Sequence, residues 1–144
     1  MAHNTIFWSG TITVKSADVL DPWMPLRHWI ILFLFVMNAG WMLSDGARAL
    51  ILGDFFTPAS GEYAGQLGPW SQLVQAIGID PRSSLMKTIF LVSGSVSLII
   101  ALLFALRIPR ARLAMILVAI LGLWYLPFGT VTNVIVLTIL LFFP

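Results

Sequence analysis

From Leu113 to Pro144 the chain carries no Lys, Arg, Asp, Glu or His. An unbroken run of 32 residues of this kind is too long and too apolar for the core of a small soluble domain. It points to lipid as the solvent, because a bilayer-spanning helix needs about 20 predominantly apolar residues. The totals agree. Of the 144 residues 59% are hydrophobic and only 10% are charged, against about a quarter in ordinary soluble domains, and mean hydropathy is +0.96. The length suits one domain of three or four spans with little mass outside the membrane.

As a single helix the final run would reach about 48 Å at 1.5 Å per residue, against a hydrocarbon core of about 30 Å. Pro127-Phe128-Gly129-Thr130 supplies turn chemistry in its middle. The reading is therefore a third span over about Pro109–Leu126 and a fourth over about Phe128–Pro144. The alternative is one long, tilted, kinked helix and three spans in all. Upstream, a first span is expected from about His28 to Leu52, ended by Gly53-Asp54. A second runs over about 82–106: Asp80 can cap it, Pro81 can start it, and Thr88–Leu106 is uncharged.

Residues 1–27 read as an arm on the membrane surface. Thr5–Val14 allows a short extended piece or hairpin, Asp21-Pro22 and Pro25 break any helix, and Trp8 and Trp23 are candidate interfacial anchors. No cleavable signal peptide is evident, and the first span is expected to act as its own insertion signal. Residues 53–81 form the one sizeable loop. Within it Trp70, Leu73, Val74 and Ile77 fall at i, i+3, i+4 and i+7, so they share a helix face, with Ser71, Gln72 and Gln75 elsewhere. Pro69 suits the start and Gly78 the stop. Two or three turns cannot cross a bilayer, so this helix should lie in the interface, apolar side down.

Arg107, Arg110 and Arg112 gather between the second and third spans. By the positive-inside bias that turn is cytoplasmic, which also puts Lys15, Arg27 and both termini inside. The 53–81 loop then faces outward with Asp54, Glu62, Asp80 and Arg82.

The polar groups within the spans are the candidates for function. Asp45 and Arg48 lie about 25 and 30 Å along the first span from His28, at the outer headgroup level. They are i and i+3, able to pair with each other, and Lys87 should sit at the same height. They read either as an interfacial ion cluster that fixes helix depth or as an anion- or proton-handling site at the outer mouth. Asn38 is deeper, about 15 Å along. An unpaired amide in hydrocarbon costs several kcal/mol, on the order of 2–7, so a partner is expected, with Ser97 and Thr138 at similar depth. Ser93-Gly94-Ser95 with Ser97 makes the second span locally small, which favours close helix packing over a pore lining. Gly40 and Gly122 are expected to serve the same end.

Other chemistries lack their residues. With no Cys there is no disulfide, thiolate metal site, Fe–S cluster or Cys nucleophile. No GxSxG, HExxH, Walker or GxGxxG motif is present. No basic stripe suits nucleic acid. His28 is expected at the interface rather than on a haem or chlorophyll, and the Met residues fill gaps. Glu62 beside Tyr63 reads as an isolated surface acid. No catalytic, metal-binding or cofactor-binding residue is expected, and no cofactor.

Two stretches, Tyr63-Ala64-Gly65-Gln66-Leu67-Gly68-Pro69-Trp70 continuing to Gly78-Ile79-Asp80-Pro81, and Gly122-Leu123-Trp124-Tyr125-Leu126-Pro127-Phe128-Gly129-Thr130, resemble patterns in small uncharacterised bacterial integral membrane proteins with four predicted spans. The likeness covers the chain from about Arg48 onward. It implies the four-span count and a bacterial inner membrane, and carries no activity or site residue.

The expected fold is thus all-α: an integral membrane bundle of four transmembrane helices with a short interfacial amphipathic helix in the first outer loop. The expected function is non-catalytic, as an accessory or scaffolding subunit of a larger membrane complex or as a homo-oligomer, with the lipid bilayer and other membrane subunits or further copies as partners. The alternative is a small oligomeric transporter or channel with Asn38, Asp45, Arg48 and Lys87 along its path. A membrane enzyme acting on lipid or quinone, with Glu62 or Asp45 as acid/base, would need a polar site facing the bundle interior.

Overall fold

A computed structural model describes residues 24–143, and the expectations for Thr5–Val14, Trp8, Lys15, Asp21-Pro22 and Trp23 fall outside them. Pro25, expected to break a helix, instead lies in the first turn of one that starts at Met24, where its missing N–H costs no helical bond. The described residues form helices joined by turns and one long loop. Helix α1 spans Met24–Leu52, α2 Trp70–Ala76, α3 Ser84–Ala105, α4 Ala111–Leu121 and α5 Phe128–Phe142, with a 3-10 turn at Gly122–Trp124 between the last two. The final apolar run is therefore two helices.

Two helices, over Leu26–Leu52 and Ser84–Ala105, are long and apolar enough to cross a membrane. With 29 and 22 residues, α1 and α3 reach about 44 and 33 Å. The other two are shorter than the 18 and 17 residues expected of them. Helix α4 has 11 residues before its 3-10 turn, and α5 has 15. Each reaches about 23 Å.

The pattern of burial explains the bundle. On α1, Ile31, Leu32, Phe35, Asn38, Ala39, Met42, Asp45 and Ala49 are buried, spaced at the helical period. Trp29, Phe33, Met37 and Trp41, four residues apart, are all at least half exposed. Helix α3 buries Met86, Phe90, Gly94, Ser97 and Ala101 and turns Val92, Val96 and Ile99 outward.

Helices α1 and α3 form the most closely packed pair, and two glycines make that approach. A Cβ on Gly94 would lie 2.5 Å from the Leu43 backbone nitrogen, and one on Gly46 would lie 2.6 Å from that of Leu91. Gly94 thus serves close packing. Gly40, expected to do the same, faces open space, and its place is taken by Gly46. Gly122 receives a side chain instead: a Cβ there would lie 2.5 Å from Asn133 Nδ2.

At one end of α3, Ser83 rather than the expected Asp80 caps the helix, accepting from the Met86 N–H, and the helix starts at Ser84 rather than Pro81. Asp80 Oδ1 accepts from the Arg82 N–H within the preceding turn. At the other end Arg107 takes a left-handed backbone (φ 56°), and Ile108 N–H closes on Leu103 O. That is the hydrogen-bond pattern of a helix ended by a left-handed residue. Arg112 Nη2 donates to Leu140 O, capping the carbonyl end of α5. The arginine turn and the 53–81 loop therefore sit at opposite ends of α3.

Helix α2 packs part of its apolar face against the bundle. Trp70, Ser71 and Val74 are buried, while Leu73 and Ile77, on the same predicted apolar face, are 44% and 72% exposed. Trp70 inserts among Phe55, Phe90 and Trp124, with ring centroids 5.3, 4.8 and 6.2 Å away. Gly78 ends the helix with φ +83°, as its position predicts.

Candidate functional site

The site lies at the loop end of the bundle, and one strap of backbone organises it. Gly53, with φ +93°, reverses the chain after α1, so residues 54–56 return along the end of the helix that precedes them. Asp45 and Arg48, one turn apart on α1, face this returning segment. The Phe56 N–H donates to Asp45 Oδ1 at 2.7 Å. Arg48 Nη1 donates to Asp54 O at 2.9 Å and to Phe55 O at 2.8 Å, and its guanidinium lies 4.5 Å from the centre of the Phe56 ring. Lys87 Nζ, at the start of α3, donates to Gly53 O at 2.6 Å.

These contacts correct the expected ion cluster. Asp45 and Arg48 do not pair with each other. A returning strap has main-chain groups that helix and water no longer satisfy, and buried backbone groups must be paired. Asp45 supplies an acceptor and Arg48 and Lys87 supply donors, so all three bind backbone. The equal height expected of Lys87 fits its reach to Gly53. The nearby ion pair is Arg82 with Asp54, 3.0 Å from Nε to Oδ1, and Arg82 Nη2 also donates to Gly65 O at 2.8 Å.

Asp54 lies in the loop. Partial desolvation pushes its carboxyl upward, but the Arg82 hydrogen bond, the Phe55 N–H and the charges of Arg82 and Lys87 outweigh that and hold it below the usual carboxylate range. A carboxyl depressed on folding stabilises above its unfolded value and loses that contribution as pH falls through the folded value. Limited proteolysis of the 53–68 segment should therefore speed up as pH drops below about 4. The Asp54→Asn variant should show a flatter response. Both side chains are about half exposed, 48% and 46%, so the effect should be small and weakened by salt.

Phe55 is the strap's apolar plug. It is 1% exposed and lies 4.9 Å from Phe90, ring centre to ring centre. Phe90 in turn meets Trp124 at 5.6 Å and Tyr125 at 5.3 Å. Tyr125 is seated because the second residue of α5 is Gly129, where a Cβ would lie 2.6 Å from its ring.

Beside this cluster opens a cavity of about 340 Å³, lined among others by Trp41, Asp45, Tyr63, Gln66, Trp70 and Tyr125. Asp45 is 4% exposed. Only its Oδ1 is bonded to a described donor, so the second oxygen is available to whatever occupies the cavity. Replacing Asp45 by alanine orphans the Phe56 N–H at a cost of about 1–3 kcal/mol and should expose the strap to protease. Asparagine retains an acceptor and should lose much less. Equal losses in a chemical-denaturation series would mean that the charge, rather than the hydrogen bond, holds the strap.

The remaining candidates lie elsewhere. Asn38 and Ser97 line a second cavity deeper in the bundle, together with Asn133. Ser97 Oγ donates within its own helix, to Ser93 O at 2.7 Å. Thr138 does the same, to Val134 O at 2.8 Å, and is exposed. Neither partners Asn38, whose Oδ1 is buried without a hydrogen bond. His28 stacks on Phe104 at 4.5 Å, at the far end from the strap.

The sequence reading missed Asn133, Phe55 and Trp41. Asn133 had a usable signal, as a second amide within an uncharged run. Phe55 and Trp41 had none, since isolated aromatics in an apolar chain look alike until the fold selects among them. No family model, curated protein or solved structure matches the chain.

Proposed function

We propose that the protein is a non-catalytic integral membrane protein of four spans. It serves as an accessory or scaffolding subunit of a larger membrane complex, or as a homo-oligomer. We place it in a bacterial inner membrane with both termini cytoplasmic and the 53–81 loop outside.

The observation that carries this reading is how the ionic side chains near the helix ends are used. Asp45, Arg48 and Lys87 each hold main chain of the strap, and Arg112 holds the end of α5. Groups committed to backbone in this way shape a surface rather than turn over a substrate. Exposed apolar side chains on α1, α3, α4 and α5, among them Phe33, Ile99, Leu117 and Val131, support a lipid surround. Helices α4 and α5 are short for a hydrocarbon core of about 30 Å and would be accommodated by local thinning.

Two measurements test the proposal. The chain has no Cys, so Glu62→Cys and Arg110→Cys can be labelled separately in intact cells with an impermeant maleimide. Labelling at 62 alone is expected, and labelling of both from outside would refute the topology. In mild detergent the protein should then purify as an oligomer or with co-purifying subunits. A lone monomer would remove the accessory reading.

The outer cavity favours a second reading, a small oligomeric transporter or channel, because the unused oxygen of Asp45 borders it. That reading requires a proteoliposome flux that changes in Asp45→Asn.

A further inference from the structure

The deeper cavity has a chemistry of its own. It measures about 170 Å³ and lies where α1, α3, α4 and α5 meet. Asn38 is 6% exposed and Asn133 is 2% exposed. Asn38 Oδ1 is an acceptor with no donor, and Asn133 Nδ2 is a donor with no acceptor. Both residues line the cavity, but each unpaired atom has less than 1 Å² open to water, and an amide atom sealed without a partner is costly in a low-dielectric bundle. Rotation of either amide about its last side-chain bond turns its oxygen or its nitrogen inward. Gly122 makes room for the Asn133 amide.

The rest of the wall is mostly apolar: Phe35, Met42, Val118 and Trp124 line it with Ser93 and Ser97, and no charged side chain does. Its mouth is lateral. Val92, Val96 and Leu121 line the cavity yet are 52%, 42% and 72% exposed on the flank of the bundle.

Water alone fits this space poorly. At about 30 Å³ each, five or six molecules would fill it, each seeking about three hydrogen bonds. Two amides and the Ser93 hydroxyl satisfy only a few of them, and the Ser97 donor is already spent on Ser93 O. A single polar head on an apolar body matches better, and a cavity of about 150 Å³ accommodates a benzene ring.

We propose that this cavity binds a small neutral amphiphile whose hydroxyl bridges Asn38 and Asn133, donating to one amide and accepting from the other. The ligand enters sideways, past Val92, Val96 and Leu121. The direction of entry from lipid rests on the four-span reading, whereas the binding does not.

Benzyl alcohol is the probe, with toluene as its control of equal shape lacking the hydroxyl. The chain has three asparagines, Asn4, Asn38 and Asn133, so selective nitrogen-15 labelling of asparagine gives one pair of side-chain NH₂ signals per residue. In detergent, benzyl alcohol should shift the Asn38 and Asn133 signals saturably and leave Asn4 unmoved. Toluene should need at least a tenfold higher mole fraction in the micelle. Asn38→Leu, read at Asn133, should weaken benzyl alcohol binding about tenfold. Val96→Trp should block it while leaving the thermal midpoint unchanged.

Equal saturation by toluene would overturn the bridging role of the amides. A shift that rises without saturating, or amide protons that contact water alone, would overturn the site. Wild-type binding unaffected by Val96→Trp would overturn the lateral mouth. None of these outcomes bears on the labelling at Glu62→Cys and Arg110→Cys, so the two proposals fail separately.

Discussion

Replacing Phe90 with alanine is expected to cost about 3–5 kcal/mol, the range for deleting a fully buried aromatic ring. Phe90 is 0% exposed and is the shared neighbour of Phe55, Trp70, Trp124 and Tyr125, at centroid distances of 4.9, 4.8, 5.6 and 5.3 Å. Those rings come from the strap, from α2, from the 3-10 turn and from the turn before α5. One truncation therefore opens a void under four separate segments. The loss should appear first as loosening of the loop end, seen as faster proteolysis within 53–81 before global unfolding. Val92, on the same helix but 52% exposed, gives the comparison. Val92→Ala should change the midpoint of a denaturation series very little. Equal effects at the two positions would mean that α3 does not present this face to the cluster.

The second large effect is expected at Gly94. A side chain there has no flexible neighbour to displace. The Leu43 nitrogen, Cα and Cβ would lie 2.5, 2.8 and 2.8 Å from the added Cβ, so α1 and α3 must separate. Overpacking of this kind costs typically about 1–3 kcal/mol, and Gly94→Val should exceed Gly94→Ala because its branch adds volume at the same contact. Gly40→Ala is the opposite case. With nothing near its Cβ, it should be neutral or gain about 0.5–1 kcal/mol from helix propensity. Thermal or steric-trap unfolding in detergent reads both. A Gly94→Ala variant as stable as Gly40→Ala would contradict the close crossing.

These two positions show how far the chain could be read before folding. Gly94 was legible because it lies in a run of small residues, Ser93-Gly94-Ser95, inside a long apolar stretch, and small residues permit close helix approach. Gly46 was not, because it stands alone between Asp45 and Ala47, and nothing local says that α3 crosses there. Phe90 and Phe55 were equally silent. Asp45 and Arg48 stood out as charges near a helix end, but their i, i+3 spacing pointed to mutual pairing. The actual partners are the backbone groups of residues 54–56, brought back by a turn whose path local spacing does not encode. Asn38 was legible as an amide needing a partner. Its neighbour across the cavity is Asn133, about ninety-five residues later in the chain, and the two leave a donor and an acceptor unpaired.

The class of structure was legible from residues close together along the chain. Apolar runs fixed where helices form, Gly53, Gly78 and Pro127 fixed where they stop, and the arginines fixed one end of the bundle, because these outcomes depend on residues within a turn or two. Which polar groups meet was left to the packed fold. It turned Asp45, Arg48 and Lys87 onto a strap, drew Trp70 into an aromatic cluster and set two amides around one cavity. Each of those choices depends on which helices cross and how closely, and that is settled by packing between segments far apart along the chain.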